Sequence, residues 1–168
     1  MRAIFRIERS LLNSIHVDLS RPHSFAHERV GFIACSVGAL ADGHLLLAHT
    51  YLQVDDDDYE NDPRVGAMMG ASAIRKALQY AYNNHVAMFH VHRHEHRGRP
   101  GFSPVDMRES AKFVPDFWKV SPKIPHGAIV LSHDSMRGAW WNPESKLAQY
   151  IDELTVLGRP IVTDGGKP

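Results

Sequence analysis

Four histidines alternate with other residues within one short segment, FHVHRHEHR. They are His90, His92, His94 and His96, out of 12 histidines in a chain of 168 residues. Because a β-strand turns successive side chains to opposite faces, each His-x-His pair places two imidazoles on the same side. Imidazole nitrogens are common ligands of zinc, so two of these side chains can share one ion. The segment therefore predicts a metal site.

Asp106 can provide a third ligand from the element that follows the histidines. The segment SPVD, from Ser103 to Asp106, is typical of a helix start, with serine at the cap and proline in the first turn. Taken alone these two residues form a capping box, a role that does not exclude ligation. Two histidines and one carboxylate leave a fourth tetrahedral position for water, whose pKa zinc lowers toward neutrality. Such a set is typical of a hydrolytic site, since a structural zinc site is closed by four protein ligands.

Apolar periodicity predicts an α/β domain with a mixed sheet and two main helices, and leaves Leu11–Leu19 unassigned. Strands are favoured at residues 3–8, Val30–Val37, Leu45–Val54, Val86–Val91, Ala128–Leu131, Arg137–Trp141 and Gln149–Val156. An Asp-Gly turn signal predicts a hairpin between the second and third of these strands, and a further hairpin is expected between the fifth and sixth. Helices are expected from Ala71 to Asn84 and from Ser103 until Pro115 limits the second one.

Length and composition predict a single domain at residues 1–162 and a flexible tail at residues 163–168. No apolar run approaches the roughly 20 residues of a membrane span, and the amino terminus lacks the apolar stretch of a secretory signal. We therefore expect a cytoplasmic protein that does not bind membranes. A formal net charge of zero argues against nucleic acid as a partner. Cys35 is the only cysteine, so the chain has no disulfide framework, and this residue is expected to pack inertly.

Two further features have structural interpretations. The acidic residues from Asp55 to Asp62 lack the ligand spacing of a calcium loop, so a solvated acidic loop is expected, with contact to the basic surface of a partner as a sharper alternative. Trp140 and Trp141 are consecutive and would face opposite sides of a strand. One is expected in the core, and the other is a candidate binding anchor on the surface.

The order of these residues resembles the JAMM signature of the MPN (JAB) superfamily. That signature runs from a Glu-x-x-Gly segment, matched here by Glu28 to Gly31, through a His-x-His pair to Ser-x-x-Asp, matched by Ser103 and Asp106. The resemblance covers roughly residues 25–135. The segment GRPGF before Ser103 looks like that of bacterial JAMM proteins encoded beside ubiquitin-like conjugation enzymes, including antiphage systems.

The resemblance implies a fold, an activity and partners. The implied fold is α/β, a curved mixed sheet flanked by helices in a layer arrangement like that of cytidine deaminases. The implied activity is zinc-dependent cleavage after the carboxyl-terminal glycine of a ubiquitin-like protein, as a deubiquitinase-like isopeptidase or as a precursor-processing peptidase. Glu28 is the implied general base and Ser103 the residue that helps stabilise the oxyanion. The ubiquitin-like protein or its conjugate is the expected substrate, and the activating and conjugating enzymes are possible partners.

The histidine register departs from the family pattern. Eight residues separate His94 from Ser103, one more than the family usually has, so this spacing favours His92 and His94 as ligands. Burial argues the other way, because this choice turns Arg93 to the opposite face of a buried strand, whereas His90 with His92 would turn Val91 there. His92 is common to both choices. We expect His92, His94 and Asp106 as zinc ligands, with His90 as the alternative and His96 in the loop.

Two other functions compete with this one, and a third can be excluded. A histidine-triad nucleotide hydrolase also has alternating histidines, but with apolar residues between them, and Arg93 and Glu95 are charged. A non-catalytic MPN scaffold would lack some ligands, whereas this chain has a candidate for each. A zinc deaminase is excluded because its Pro-Cys-x-x-Cys motif does not occur.

Overall fold

The computed structural model describes residues 1–63 and 66–158. The strands in this part of the chain are β1 (Arg2–Glu8), β2 (Val30–Leu40), β3 (Gly43–Gln53), β4 (Tyr59–Glu60), β5 (Met68–Met69), β6 (Ala87–Arg93), β7 (His126–Leu131), β8 (Met136–Trp141), β9 (Ala148–Tyr150) and β10 (Glu153–Leu157). Its α-helices are α1 (Arg9–Leu19), α2 (Ala71–Asn84) and α3 (Pro104–Val120). The predicted tail at residues 163–168 lies outside the described residues.

Eight of the ten strands in the described ranges form one mixed sheet in the order β10-β1-β3-β2-β6-β7-β8-β9. Strand β2 is antiparallel to β3 and β6, whereas β6 is parallel to β7. Both predicted hairpins are present, as β2–β3 and as β7–β8. The predicted α/β class and mixed sheet are therefore confirmed, with α1 as a helix that the sequence left unassigned.

The sheet curls until its two ends meet. Strands β9 and β10 are the opposite ends of the strand order, yet only Ile151 and Asp152 separate them in the chain. Asp152 accepts a hydrogen bond from the backbone N–H of Ala3 at 2.8 Å, and Ile151 donates its N–H to the carbonyl of Gly138 at 2.9 Å. The prediction of one continuous strand from Gln149 to Val156 is wrong for this reason, because the chain crosses here from one sheet edge to the other.

The two faces of the sheet are covered by different helices. On β6, Phe89 and Val91 face a core that includes residues of α1, whereas Met88 faces a second core that includes Ala77 of α2 and Phe117 of α3. Side chains alternate along a strand, so the even-numbered residues of β6 all face α2 and α3. His90 and His92 therefore lie on the face that α3 covers.

Covering both faces also buries both tryptophans. Trp140 is fully buried in the core on the α1 side, and Trp141 is 5% exposed and packs against Val114 of α3. The prediction of an exposed tryptophan as a binding anchor is therefore wrong.

Helix α3 continues through Pro115 to Val120, so the prediction that Pro115 limits it is wrong. Val114 and Phe117, on either side of the proline, are buried, whereas Pro115 itself is exposed. Burial of the apolar face stabilises the last turns and offsets the loss of the helix hydrogen bond that proline cannot donate.

The acidic segment is exposed from Asp55 to Asp57, as predicted, but it forms a short helical turn at Asp56–Asp58 and its carboxylates are paired. Asp55 and Asp58 pair with Lys76 of α2 at 2.8 and 2.6 Å, and Asp56 pairs with the buried Arg29 at 2.8 Å. These carboxylates bind the chain's own cations.

Among the helices in the described ranges, none has the length and apolarity needed to cross a lipid bilayer.

Candidate metal site

The carboxyl end of β6 brings two imidazoles together. His92 is 2% exposed and faces α3, and His94 follows just after the strand. The backbone N–H of His94 donates to the carbonyl of Leu131 at 2.9 Å, which holds this residue beside β7. The Nε2 atoms of His92 and His94 are 3.2 Å apart. The two rings therefore turn their Nε2 atoms toward the same point.

Asp106 reaches this point from the first turn of α3. Its Oδ2 lies 3.5 Å from Nε2 of His92 and accepts the backbone N–H of Ser103 at 2.7 Å. The Oγ of Ser103 in turn accepts the backbone N–H of Asp106 at 3.1 Å, which completes a capping box. The cap fixes the Asp106 side chain at the helix start, so capping and ligation use the same conformation.

The spacing of the three donor groups fits a small divalent ion. The donor atoms of His92, His94 and Asp106 all lie within 4.8 Å of one another. A tetrahedral ion with bonds of about 2.1 Å separates its ligand atoms by about 3.4 Å. The distances from His92 to His94, 3.2 Å, and to Asp106, 3.5 Å, are close to that value. The donor set, two imidazoles and one carboxylate, is that of known hydrolytic zinc sites.

The protonation states also suit metal binding, because a ligand must give up its proton. Burial, followed by the charge of His92, lowers the pKa of His94. Burial alone would raise the pKa of the Asp106 carboxyl, but hydrogen bonding and charge interaction with His92, with hydrogen bonds from Ser103, hold it well below the usual range. Asp106 is therefore an anion, and His94 is a neutral imidazole at neutral pH.

His90 lies on the same face but is not one of the three grouped residues. Its ring stacks on His92 at 5.8 Å and meets Phe113 and Phe32 edge-on at 5.4 and 5.8 Å. Burial, with a smaller effect of the charge on His92, lowers the pKa of His90 to about 3. Within the described ranges its Nε2 is buried without a hydrogen-bond partner. The structure thus groups the His92–His94 pair with Asp106, the register that the spacing to Ser103 favoured.

The surroundings of Arg93 explain why the burial argument against His92 and His94 as ligands does not hold. It does turn to the opposite face of β6, where the side chain is 9% exposed, but polar groups surround it there. Its guanidinium donates to Oγ of Ser20 at 2.6 Å and pairs with Glu95. An arginine is accommodated because the end of α1 and the loop after β6 supply acceptors.

Glu28 lines the cavity that also contains His92 and Asp106. It precedes β2, whose Val30 pairs with His92 on the antiparallel β6. Glu28 and His94 both lie just beyond the end of this pairing, and the charge of Glu28 favours the protonated form of the His94 ring. The antiparallel pairing of β2 with β6 thus explains how residues more than sixty positions apart in sequence reach one site.

The cavity has a volume of about 500 Å³ and is mostly apolar beside this charged end. Its walls come from the segment at residues 66–69, from α2 and from one face of α3. The α3 side includes Asp106, Glu109, Ser110 and Phe113, at spacings of three and four residues. Sequence reasoning missed this wall, although projecting α3 as a helical wheel from Asp106 would have identified it.

The other two predicted positions lie beside the group. Ser103 is held in the cap of α3 next to Asp106. His96 lies in the loop after β6, where its backbone carbonyl accepts the N–H of His133 at 2.9 Å.

No known family model and no curated protein matches this chain.

Proposed function

We propose that this chain is a zinc-dependent peptidase of the JAMM (MPN) type that cleaves after the carboxyl-terminal glycine of a ubiquitin-like protein. Either trimming of a precursor or removal of the modifier from a target fits this reaction. One observation carries the proposal: the donor atoms of His92, His94 and Asp106 converge within 4.8 Å, and Glu28 lines the cavity that His92 and Asp106 also line. The substrate is a ubiquitin-like protein or its conjugate in the cytoplasm, and the enzymes that activate and conjugate it are the expected partners.

The arrangement of the elements supports this assignment. The resemblance requires a glutamate before one strand, two histidines on a second strand and an aspartate in the following helix. Here the glutamate precedes β2, one histidine lies near the end of the neighbouring β6 and the other follows that strand directly, and the aspartate is in the first turn of α3. A curled mixed sheet flanked by helices is also the architecture that the resemblance implies, although many unrelated activities can share a fold.

His92, His94 and Asp106 are the residues that would hold the ion. When bound there, zinc would act as a Lewis acid and would lower the pKa of water. The carboxylate of Glu28 accepts a proton from the attacking water and passes it to the leaving amine as the peptide bond breaks. Ser103 accepts the N–H of Asp106 through its Oγ, and its own O–H can donate to the oxygen of the carbonyl under attack.

The test combines metal content with cleavage of a defined substrate. Purified protein is assayed for bound zinc and for release of a reporter fused behind the terminal glycine of a ubiquitin-like protein. We expect near-stoichiometric zinc, and a loss of cleavage with a chelator that zinc restores. Glu28→Gln should keep the zinc and lower kcat by about 10²- to 10⁴-fold, the usual contribution of a general base. Glu60→Gln, which changes another glutamate outside the cavity, should leave kcat within about twofold.

Two results would overturn the proposal. The first is a zinc-loaded protein that cleaves no ubiquitin-like fusion, which would favour a scaffold that only binds such a partner. The second is equal activity of Glu28→Gln and the unchanged protein. Hydrolysis of nucleotides instead of fusions would support the histidine-triad alternative.

A further inference from the structure

The residue after Glu28 is a buried arginine whose side chain joins three segments of the chain. Arg29 is 2% exposed in its side chain. Its Nε donates to the carbonyl of Arg21 and its Nη2 to the carbonyl of Pro22, both at 2.8 Å. Its Nη1 donates to Oδ1 of Asp56, also at 2.8 Å. The guanidinium therefore ties the start of β2 to the chain after α1 and to the acidic segment before β4.

Strand β4, which follows directly, also holds the first residue of β2. The hydroxyl of Tyr59 accepts the backbone N–H of Val30 at 2.9 Å and lies 3.2 Å from the carbonyl of the same residue. The guanidinium of Arg29 lies 5.9 Å from the centre of the Tyr59 ring. Two consecutive residues at the entry to β2 are thus fixed to one segment, through a side chain in one case and the backbone in the other.

The opposite side of Glu28 is bounded by Gly66. The carbonyl of Gly66 accepts the backbone N–H groups of His27 and Glu28 at 2.8 and 3.1 Å. A methyl group on Gly66 would lie 3.1 Å from the Glu28 carboxyl group, closer than most real contacts. The carboxylate therefore rests against the backbone of this segment, while Arg29 and Tyr59 hold the chain that carries it.

We propose that Arg29 is a positioning residue for Glu28, acting through its three hydrogen bonds to Arg21, Pro22 and Asp56. This inference rests on the proposed function, in which Glu28 must lie within proton-transfer reach of the attacking water. Glu28 precedes the first paired residue of β2, so the sheet alone does not fix it. A displacement of about 1 Å at such a group can lower a rate 10²-fold.

Lysine cannot replace arginine in this role. A guanidinium is a planar fork with five donors, whereas an ammonium is a compact point charge on a flexible stem. Arg29→Lys keeps the positive charge beside Asp56 but cannot span two carbonyls and a carboxylate in one plane. Asp56→Asn is a milder change, because the amide oxygen still accepts a hydrogen bond from Nη1 without the charge.

The test compares these variants with a control in the same acidic segment. Arg29→Lys should lower kcat about 10- to 100-fold with KM within about twofold and zinc content unchanged. Asp56→Asn should lower kcat by roughly fivefold, because it weakens one charged hydrogen bond. Lys76→Gln removes the ion pairs of Asp55 and Asp58, which flank Asp56, and should leave kcat within about twofold. In the Glu28→Gln background, Arg29→Lys should lower the residual rate no further.

A second readout does not need activity. Backbone amide exchange of the full chain, measured without metal, should accelerate at His27, Glu28 and Val30 in Arg29→Lys, about tenfold or more, and stay unchanged along β6. Lys76→Gln should match the unchanged protein. If the unchanged protein hydrolyses nothing, the proposed function fails while exchange still decides whether Arg29 holds this segment.

Two outcomes would overturn the positioning role. One is a kcat for Arg29→Lys equal to that of Lys76→Gln. The other is an equal acceleration of exchange across the whole sheet, which would indicate a general contribution to stability instead. If Arg29→Lys does not fold, Asp56→Asn decides by the same two criteria.

Discussion

His90 lies on β6 two residues before His92, His94 follows the strand two residues after it, and the surroundings of the two rings differ. The Nε2 of His94 lies 3.2 Å from that of His92, at the strand end that Asp106 approaches. His90 packs edge-on against Phe113 at 5.4 Å, deeper under α3. One neighbour of His92 meets a carboxylate, and the other meets an aromatic ring.

Helix α3 is the source of this difference. Asp106 and Phe113 are seven residues apart, two turns along one face of the helix. Both line the cavity over β6, with the carboxylate beside His92 and the ring against His90. Strand alternation alone makes all the histidines equivalent, and the helix above them decides which can share an ion.

Single substitutions among the four alternating histidines should have the largest effect, which is on zinc affinity. His94→Ala removes one of the three grouped donors, so we expect zinc affinity to fall by more than about 100-fold, since loss of an outer-shell partner alone costs up to that much. Cleavage should be lost with the metal. Zinc content after dialysis, together with a competition titration against a chelator, measures the change.

His96→Ala is the matched control, because it alters the next histidine of the same run without touching the group. It should keep full zinc content. If His96→Ala loses zinc and His94→Ala keeps it, then His96 in the loop, and not His94 at the strand end, would be the metal ligand.

A second comparison involves His126 on the adjacent strand β7, which is fully buried without belonging to the group. Its Nδ1 accepts the backbone N–H of Met88 at 3.1 Å, and burial lowers its pKa to about 4 from an ordinary value of 6.5. Since the unfolded chain takes up this proton first, the contribution to stability is complete above pH 6.5 and is lost as the pH falls toward 4. At 1.36 kcal/mol per pKa unit the loss is roughly 3 kcal/mol.

Urea unfolding at pH 7 and pH 4.5 measures this loss. His126→Asn keeps an acceptor for Met88 and cannot take up the proton, so its free energy of unfolding should fall less over this interval than that of the unchanged protein. Equal falls for the two proteins would show that His126 is not held neutral by the fold. Each protein is compared with itself, so the cavity left by the smaller side chain does not affect the result.

Much of the fold could be predicted from local sequence patterns, but the curling that brings the two ends of the sheet together could not. The predicted helix Ala71–Asn84 has the bounds of α2, because its apolar spacing and its ends are local properties. The break between β9 and β10 depends on β10 pairing with β1, about 150 residues away. Helix α1 was also beyond prediction, since only its packing under the sheet stabilises so short and mixed a segment.

The candidate site, like the fold, was predictable where it depends on local sequence patterns and not where it depends on tertiary packing. Alternating histidines and a capping box are short-range patterns, and His92, His94 and Asp106 are indeed brought together. What the sequence does not indicate is the environment of each member. Phe113 over His90 and polar groups around Arg93 both depend on how α3 and α1 pack, so the register stayed open between two choices.

The smallest effect should come from His90, and it bears directly on the comparison with His94. His90→Phe places an apolar ring beside Phe32 and Phe113 and removes a buried nitrogen that has no partner within the described ranges. Since an unsatisfied buried polar atom costs about 1–3 kcal/mol, we expect the free energy of unfolding to rise by about 1 kcal/mol after some loss to tighter packing. Zinc content should stay the same, because His90 is outside the group of donors. Loss of zinc in His90→Phe, with zinc retained in His94→Ala, would instead assign the metal to His90 and His92.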